Sequence, residues 1–489
     1  MTETHKPGTD GHLEDGVSYY PASQAQMQTY ATAQAQLANF QAPILYKSED
    51  PHSRLYIASF DGTGNDANKD PEHRTNVSRL SDQVKQNNDP HVKSDYLAGP
   101  GTQDGYFRSA YDGATGSTYG PRTEEMYKRF TEQAARWKAE DPDAKISVLS
   151  TGFSRGAEQA AGFTRLVEER GIQDPTGAQY KYNADGLVES VKYTKPPLQA
   201  PGGIAQAEAL YDPVNTGTPE RNDRRPPPSV ISGFQITADD ERRRLFKTDQ
   251  IIKTTDDGRF LNVNVAGAHS DIGGSYHRDG LSIRNGNMMI DYANALSDKP
   301  FLRKTNEPQD QGLNVVHRSE EGMILYRWDK KVDRTQPEGQ NAIIVPKQDK
   351  AQYAPDQQRS AEPVNQQLSA QFTRQPVNIG LQPNQQQASP QTLHVAPNQP
   401  IPAPGNQSSV SNDFDRLAAA AATRNDAASR QVAQNYAQSP EGQALLAQGQ
   451  QANQQRNQTQ QQQQAAPEQQ QQQQQQQSQQ QLPNPNLRR

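Results

Sequence analysis

The sequence predicts an α/β fold, a mostly parallel sheet flanked by helices, followed by a disordered tail. Two observations lead to this prediction. Between residues 51 and 345, short apolar runs bounded by turn residues alternate with helical patterns, and this alternation is typical of parallel α/β sheets. After about residue 345, glutamine and proline replace the apolar residues, and such a composition cannot bury enough apolar surface to form a core.

Four apolar runs are predicted as strands. The run from 55 to 60 ends at the Asp-Gly of "FDGTGND", and "ISVLST" ends just before Gly152. Runs this short and this apolar are typical of strands buried on both faces. The segments "PPSVISGFQIT" and "RFLNVNVAGAH" supply two more candidates further along the chain.

Three segments between these strands have helical spacing. The first is "NVSRLSDQVKQ", and the third, "AEQAAGFTRLVEERG", is expected to be closed by Gly171. In the second, "RTEEMYKRFTEQAARWKAED", we expect Thr123 to cap the helix, with Glu124 and Glu125 in the first turn. Its apolar residues share one face of the helix: Met126, Phe130, Ala134 and Trp137.

The pattern predicts four regions along the 489 residues. Residues 1–50 form a weakly ordered segment whose Ala/Gln-rich part has helical potential, and residues 51–345 form the α/β domain. Residues 346–411 are predicted to be a Pro/Gln-rich linker. Residues 412–489 combine two short helical patterns with a glutamine tract.

Composition excludes several classes of function. The formal net charge of -6 does not argue for a nucleic-acid partner, which would require a basic patch. The absence of cysteine excludes disulfides, thiolate metal sites and cysteine nucleophiles. The N-terminus lacks the basic and apolar regions of a secretory signal, and no apolar run approaches the roughly 18 residues of a membrane span. If the protein leaves the cell, we expect a specialised machinery to export it.

The candidate nucleophile is Ser154, in the Gly-Phe-Ser-Arg-Gly stretch between a predicted strand and a predicted helix. In this context the motif predicts a tight turn that exposes the serine hydroxyl above the sheet. A side chain at Gly152 or Gly156 is expected to collide with the neighbouring strand or the helix backbone. The backbone N–H of Arg155, at the helix start, is placed to stabilise an oxyanion.

A nucleophilic serine needs a base and an orienting carboxylate, which follow in the order Ser, Asp, His in α/β-hydrolases. His269 follows an apolar run and precedes two glycines, so its ring is expected within hydrogen-bond reach of Ser154, with His277 as the reserve. Asp212, directly after the apolar stretch of "AEALYDPVNTG", is the candidate acid, and Asp271 is its competitor.

Five motifs, "FDGTGND", "YLAGPGT", "TGFSRGA", "LYDPVNTG" and "GAHSDIGGSY", occur in this order. Together they resemble the type VI lipase effector family, whose catalytic part is an α/β-hydrolase domain, over roughly residues 53–330. The resemblance implies a phospholipase with Ser154, Asp212 and His269 as its triad and no cofactor. The "FDGTGND" loop is placed to supply a second oxyanion N–H from Gly62 or Thr63. Metal binding by the carboxylates of this loop is the less favoured alternative.

The resemblance also implies partners and a destination. It implies a membrane phospholipid substrate, secretion machinery, a cognate immunity protein in the producing cell, and delivery into target cells. The segments 172–207 and 275–300 are candidates for contact with the membrane. The C-terminal region from about residue 365 resembles the secretion signals of bacteria-killing type IV effectors, and we expect it to direct export. The alternatives are a carboxylesterase acting on soluble esters and a non-catalytic interaction protein on the same fold.

Overall fold

A computed structural model describes residues 8–102, 118–215, 223–322, 329–341 and 360–380. Within these residues the strands, in chain order, are β1 (Tyr19–Pro21), β2 (Gln41–Pro43), β3 (Ser53–Phe60), β4 (Val92–Leu97), β5 (Lys145–Phe153), β6 (Gln179–Tyr182), β7 (Val188–Lys192), β8 (Gln206–Tyr211), β9 (Val230–Ala238), β10 (Thr248–Asp249), β11 (Phe260–Val265), β12 (Val315–His317), β13 (Gln340–Asn341) and β14 (Arg374–Pro376). The helices are α1 (Gln24–Ala38), α2 (Asn76–Asn87), α3 (Tyr119–Glu140), α4 (Arg155–Arg170), α5 (His269–Gly273), α6 (Gly280–Ala295) and α7 (Gln366–Ser369).

Six parallel strands form the central sheet, in the order β4-β3-β5-β8-β9-β11. The four predicted strands are confirmed as β3, β5, β9 and β11, and the fold class is an α/β-hydrolase-like parallel sheet flanked by helices. The chain crosses between neighbouring strands mainly through helices, so all carboxyl ends lie along one edge. Residues that follow the strands are therefore brought together at that edge.

Helices cover both faces of the sheet. The three predicted helices are confirmed as α2, α3 and α4, and Gly171 ends α4 with a φ of 63°. The predicted cap is wrong, because α3 begins at Tyr119 and Thr123 lies inside it, donating its hydroxyl to the Gly120 carbonyl. The spacing of apolar residues along a helix does not show at which residue the helix begins, and here it begins at the buried Tyr119. The predicted apolar face is confirmed: Met126, Phe130, Ala134 and Trp137 are buried.

Two apolar layers form the core, one on each face of the sheet. The first joins β3, β5, β8, β9 and β11 to α1, α2 and α6 through residues such as Leu37, Leu80 and Met288. The second packs α3 and α4 on the opposite face, with Phe130 against Phe163 in an edge-on contact of 6.0 Å between ring centroids. The sheet is thus buried on both sides, which fixes the geometry of its carboxyl edge.

The described part of the N-terminal segment is ordered by contacts with distant residues. Helix α1 is capped by Ser23 and buries Tyr30 and Leu37 in the core. Ahead of it, Asp10 accepts hydrogen bonds from the buried Arg278 guanidinium, 268 residues away. The structure therefore differs from the weakly ordered segment predicted for residues 1–50, since these partners are invisible to local pattern.

Residues 360–380, predicted to belong to the linker, also pack on the domain. Strand β14 pairs antiparallel with β2, and Leu368 and Val377 are buried in the first apolar layer. The Arg374 guanidinium donates to the Ile231 carbonyl at 2.8 Å. Residues beyond the predicted boundary at 345, those from 360 to 380, thus belong to the folded domain. The rest of the predicted linker up to residue 411 and the predicted tail, residues 412–489, lie outside the described residues.

In the part of the chain that the structure describes, no helix combines the length and apolarity required to cross a bilayer.

Candidate active site

Ser154 occupies a strained turn between β5 and α4. Its φ of 59° and ψ of -127° lie where non-glycine residues are rarely found. A Cβ at Gly152 would lie 2.3 Å from the Gly156 carbonyl oxygen, and one at Gly156 would lie 2.3 Å from the Phe60 carbonyl oxygen. The predicted crowding by helix and strand backbone is therefore confirmed, and it explains why glycine stands on both sides of the serine.

Asp212 is brought to this turn by the neighbouring strand β8. Phe153 pairs with Tyr211, and the Ser154 N–H donates to the Tyr211 carbonyl at 3.0 Å. Asp212, which follows directly, is fully buried and has a positive φ of 40°. Ser154 and Asp212 are thus neighbours at the carboxyl edge because they follow the paired strands β5 and β8.

His269 is the first residue of α5 and hydrogen-bonds Asp212. The distance from its Nδ1 to Asp212 Oδ2 is 2.5 Å. Its ring centroid lies 4.6 Å from that of Phe153, the residue before the serine. This approach needs Gly273, because a Cβ there would lie 2.3 Å from the Phe153 ring.

The other ring nitrogen of His269, Nε2, is buried and has no hydrogen-bond partner among the described residues. A hydrogen bond between Nε2 and Ser154 Oγ, which the sequence predicts, is therefore not formed in this structure. Hydrogen bonds between a nucleophile and its base are often long without substrate and shorten when substrate binds. Both residues are 4% exposed, so the pair is enclosed.

Electrostatics favour a charged Asp212 and a neutral His269. Burial opposes the charge of Asp212, but Arg334 and His269 together hold the pKa of this carboxyl below its usual range. Burial lowers the pKa of His269 despite the neighbouring Asp212. An imidazole that is neutral near pH 7 and held by a carboxylate is suited to accept a proton.

The two reserve candidates lie in other interactions. Asp271 accepts from His317 Nδ1 at 2.6 Å and from the Ala268 N–H at 2.8 Å. The His277 ring packs against that of His73, with 4.6 Å between the centroids. Neither residue contacts Asp212 or His269 in place of its proposed partner, and the geometry favours the first choices.

The "FDGTGND" loop follows β3 and lies beside the serine turn. A Cβ at Gly62 would lie 2.6 Å from the Phe153 ring. The Gly62 N–H donates to Asp61 Oδ1 at 2.7 Å. Of the two predicted N–H donors in this loop, that of Gly62 is thus already engaged, which leaves the Thr63 N–H as the candidate. Arg155 is the first residue of α4, where backbone N–H groups point away from the helix.

Asp61, in the same loop, is held by protein donors. Its Oδ2 accepts from the Thr75 hydroxyl at 2.9 Å and the Tyr96 hydroxyl at 2.6 Å. Burial raises the pKa of Asp61 to about 7 against the effect of these donors. Among the described residues, no group of three or more His, Asp and Glu side chains is arranged to hold a metal ion.

Three residues next to the Asp212–His269 pair were not predicted. Glu241 Oε2 accepts from the His269 N–H at 3.3 Å, and the nearby Arg243 holds the pKa of Glu241 at about 2 against its burial. The Phe246 ring contacts the His269 ring, with 5.1 Å between centroids. Arg334 donates to Asp212 Oδ1. Each lies far from its partner in sequence and carries no local signal.

Comparison with known proteins finds a family model that matches part of the chain. Residues 54–200 match the family model "T6SS, Phospholipase effector Tle1-like, catalytic domain". The resemblance drawn from the five motifs is confirmed for this part. The match includes Ser154 and the "FDGTGND" loop, whereas Asp212 and His269 lie beyond its end. No curated protein matches the chain.

Three solved structures are similar to the chain. A structure of the Tle1 effector bound to the VgrG spike of the type 6 secretion system is 20% identical, with a TM-score of 0.30, and the match covers 48% of this chain and 52% of that one. An uncharacterised protein from Pseudomonas aeruginosa is 17% identical, with a TM-score of 0.32 and coverages of 61% and 51%. An esterase from Pyrobaculum calidifontis is 12% identical, with a TM-score of 0.23 and coverages of 57% and 93%.

The chain spans about half the length of the first two of these proteins.

Proposed function

We propose that this protein is a phospholipase that cleaves acyl esters of glycerophospholipids through Ser154, His269 and Asp212. The observation that carries the proposal is the hydrogen-bonded Asp212–His269 pair at the sheet edge that also holds the strained Ser154 turn. The family match over residues 54–200 supports the substrate class. The residue roles rest on the geometry.

In the first half of the reaction, Ser154 Oγ attacks the ester carbonyl carbon and His269 Nε2 accepts the hydroxyl proton. The carbonyl oxygen becomes an oxyanion, stabilised by the N–H groups of Arg155 and Thr63. Asp212 keeps Nδ1 protonated and stabilises the imidazolium that forms. His269 then gives its proton to the departing alcohol, a lysophospholipid, which leaves an acylated Ser154.

In the second half, water replaces the alcohol. His269 Nε2 takes a proton from water, and the hydroxide attacks the acyl carbon. Collapse of the second tetrahedral intermediate releases a fatty acid and returns the proton to Ser154 Oγ. The buried, unpartnered Nε2 is consistent with this role, since both protons pass through that atom.

We propose that contact with the membrane is made close to Ser154 rather than by the hairpin and the helix of the two predicted segments. The hairpin β6–β7, within residues 172–207, lies between the end of α4 and the start of β8, at the amino ends of the strands and away from Ser154. Helix α6, within residues 275–300, is buried in the core. We assign the membrane-facing surface instead to loops at the carboxyl edge of the sheet.

Delivery and protection belong to the same proposal. The family model matched by residues 54–200 is that of type VI secretion effectors, and we propose that this chain is exported into target cells by secretion machinery. A cell that makes an antibacterial phospholipase needs a cognate immunity protein. The proposed export signal lies in the C-terminal tail.

The test is hydrolysis of phospholipid vesicles, with the products identified by mass spectrometry. Wild type is expected to release fatty acid and lysophospholipid, and Ser154→Ala to lower turnover by orders of magnitude, leaving roughly the 10³–10⁴-fold catalysis over water seen without a triad nucleophile. Ser150→Ala is the matched control, because Ser150 is buried in β5, the strand that leads to Ser154, and donates to the Ala160 carbonyl at 3.0 Å. Near-normal turnover by Ser154→Ala would contradict the proposal.

A second substrate comparison separates a lipase from a carboxylesterase. We expect faster hydrolysis of vesicles than of a short-chain ester dispersed as monomers. Equal rates on the two substrates would favour the carboxylesterase alternative and leave the triad assignment intact.

A further inference from the structure

Arg334 is a buried arginine whose guanidinium donates hydrogen bonds both to Asp212 and to the backbone of Phe246, the residue whose ring contacts His269. Its side chain is 1% exposed, and it lies in the described segment 329–341, more than 130 residues beyond the end of the family match. One terminal nitrogen, Nη1, donates to Asp212 Oδ1 at 2.5 Å and to the Ala238 carbonyl at 3.1 Å. The other, Nη2, donates to the Phe246 carbonyl at 2.5 Å, as Nε does at 3.1 Å.

Resting on the function proposed above, we propose that Arg334 is a positioning residue that fixes the carboxylate plane of Asp212 and thereby the tautomer and orientation of His269. The Asp212 carboxylate is held from both sides. Its Oδ1 accepts from Arg334 and from the Ala238 N–H at 3.0 Å, while its Oδ2 accepts from His269 Nδ1. With Oδ1 held by two donors, Oδ2 alone faces the imidazole.

The same guanidinium also fixes the residue that covers the imidazole. Phe246 ends a short 3-10 helix, and its ring meets the His269 ring nearly edge-on, at 77°. The Arg243 guanidinium carbon lies 3.5 Å from the centroid of the Phe246 ring. Because Arg334 binds the Phe246 backbone carbonyl, loss of Arg334 frees both Asp212 and the ring that confines His269.

The segment that carries Arg334 is itself anchored. The Val332 N–H donates to the Arg242 carbonyl at 2.9 Å, and Gln340 Nε2 donates to the Arg334 carbonyl at 2.9 Å. Strand β13 pairs with β10. The guanidinium is therefore held by secondary structure on both sides, as a residue that positions a catalytic group must be.

Charge adds a measurable signature to this geometry. Asp212 is fully buried, and Arg334 is the largest influence that offsets its burial and keeps its pKa low. Removal of a cation next to the pair favours the protonated imidazole, so the pKa of His269 should rise. The other charged groups around the pair remain in place: Glu241, Arg243 and Asp239.

The experiment compares Arg334→Gln and Arg334→Lys with a matched control, Arg259→Gln. Arg259 is also buried, and its guanidinium donates to three backbone carbonyls, those of Val230, Pro227 and Glu362, at the opposite end of β9. Vesicle hydrolysis by each variant is measured against pH. The titration of His269 is followed by NMR in a Ser154→Ala background, which makes that readout independent of turnover.

We expect Arg334→Gln to lower kcat by about 10- to 100-fold, the range found when the partner orienting a metal-bound histidine is removed. KM should change little, and the acid limb of the pH profile and the NMR titration of His269 should both move to higher pH. Arg334→Lys should recover part of kcat and leave the acid limb near that of wild type, since it keeps the charge. Arg259→Gln should lower stability without moving the pH profile.

Two results would overturn the positioning role: an unmoved His269 titration in Arg334→Gln, or a kcat loss matched by Arg259→Gln. If Arg334→Gln does not fold, Arg334→Lys and Arg259→Lys take its place, and equal kcat values for these two variants would contradict the role. Failure of the proposed function is distinguishable from all of these, because it would show as full vesicle hydrolysis by Ser154→Ala while the NMR comparison still reports on Arg334.

Discussion

The short helix α5 contributes one residue to each of two buried Asp–His pairs, and the surroundings of the two pairs differ. In the first, His269 Nδ1 meets Asp212 at 2.5 Å, and Nε2 has no partner among the described residues. In the second, His317 Nδ1 meets Asp271 at 2.6 Å, and Nε2 meets Asp15 at 3.1 Å. The bond to the first carboxylate is nearly the same length in both pairs.

The charges around each pair decide what its histidine can do. Burial and the nearby Arg243 lower the pKa of His269 against the effect of its carboxylate. His317 is equally buried, but its two carboxylates raise its pKa to about 9. An imidazole with a free nitrogen and a low pKa can accept a proton, whereas one held as a cation between two anions can only tie segments together. Proximity to a carboxylate is therefore not enough to identify a catalytic histidine.

The largest effect that distinguishes the two pairs is expected from Asp212→Asn. The amide would favour the wrong tautomer of His269, and we expect kcat to fall by roughly 10⁴-fold, as when the aspartate of a serine protease triad is replaced by asparagine. Vesicle hydrolysis and thermal unfolding are measured together. Asp271→Asn is the control, and it should affect stability much more than kcat per folded molecule. The roles would be reversed if Asp271→Asn gave the larger kcat loss.

The second pair is tested by His317→Gln. Its removal leaves Asp15 and Asp271 facing each other in a buried site, and breaking such an arrangement typically destabilises a protein by about 3–5 kcal/mol. Chemical denaturation measures the free energy of unfolding. Turnover by the folded fraction should remain, since His317 has no role in the proposed chemistry. A variant as stable as wild type would show that the ion pairs of His317 with Asp15 and Asp271 contribute little to stability.

Stability should also depend on pH through His317. Its pKa is about 9 in the folded protein, against 6.5 for an ordinary histidine, so its contribution is complete below pH 6.5 and disappears as the pH rises to about 9. The shift corresponds to up to about 3 kcal/mol. The titratable and charged groups facing the ring or its neighbour Tyr19 are Asp15, Asp271, Tyr276, Tyr19 and Arg278.

The measurement is the free energy of unfolding between pH 6 and pH 9.5, for wild type and for His317→Gln. Wild type should lose stability over this range, and the variant should show a flatter dependence. Parallel curves for the two proteins would exclude His317 as the source of the slope.

The smallest effect on turnover is expected from removal of the tail. Truncation after Gly380 keeps β14 and the buried Leu368 and Val377, so hydrolysis of vesicles should be unchanged while delivery into neighbouring cells is lost. Truncation before residue 365 serves as the contrast, because it removes a strand and two core residues and should destabilise the domain. Normal delivery of the chain truncated after Gly380 would place the export signal elsewhere.

The sequence predicts well those features that are determined by residues close together in the chain. The strands, the helices and the Ser154 turn follow from apolar runs and from glycines at fixed spacing, and the crowding at Gly152 and Gly156 is as expected. Asp212 and His269 could be selected because each directly follows an apolar run. The roles of these residues stay predictions until they are tested by substitution.

What the sequence does not predict depends on partners far along the chain. Arg334 reaches Asp212 across 122 positions, and nothing in the residues around Arg334 indicates this contact. Arg278 orders the N-terminal segment from 268 positions away. The Pro/Gln-rich composition of residues 360–380 suggests a linker, yet pairing of β14 with β2 outweighs it. Local composition therefore misjudges segments that gain their order from tertiary contacts.

The most direct test of the account is the site of covalent modification by a fluorophosphonate, which reacts with a serine only when a neighbouring base activates it. Intact protein and its peptides are analysed by mass spectrometry after labelling of wild type, His269→Gln and His317→Gln. We expect one adduct, on Ser154, that is present in wild type and His317→Gln and absent from folded His269→Gln. An adduct on another serine, or labelling of Ser154 that persists without His269, would contradict it.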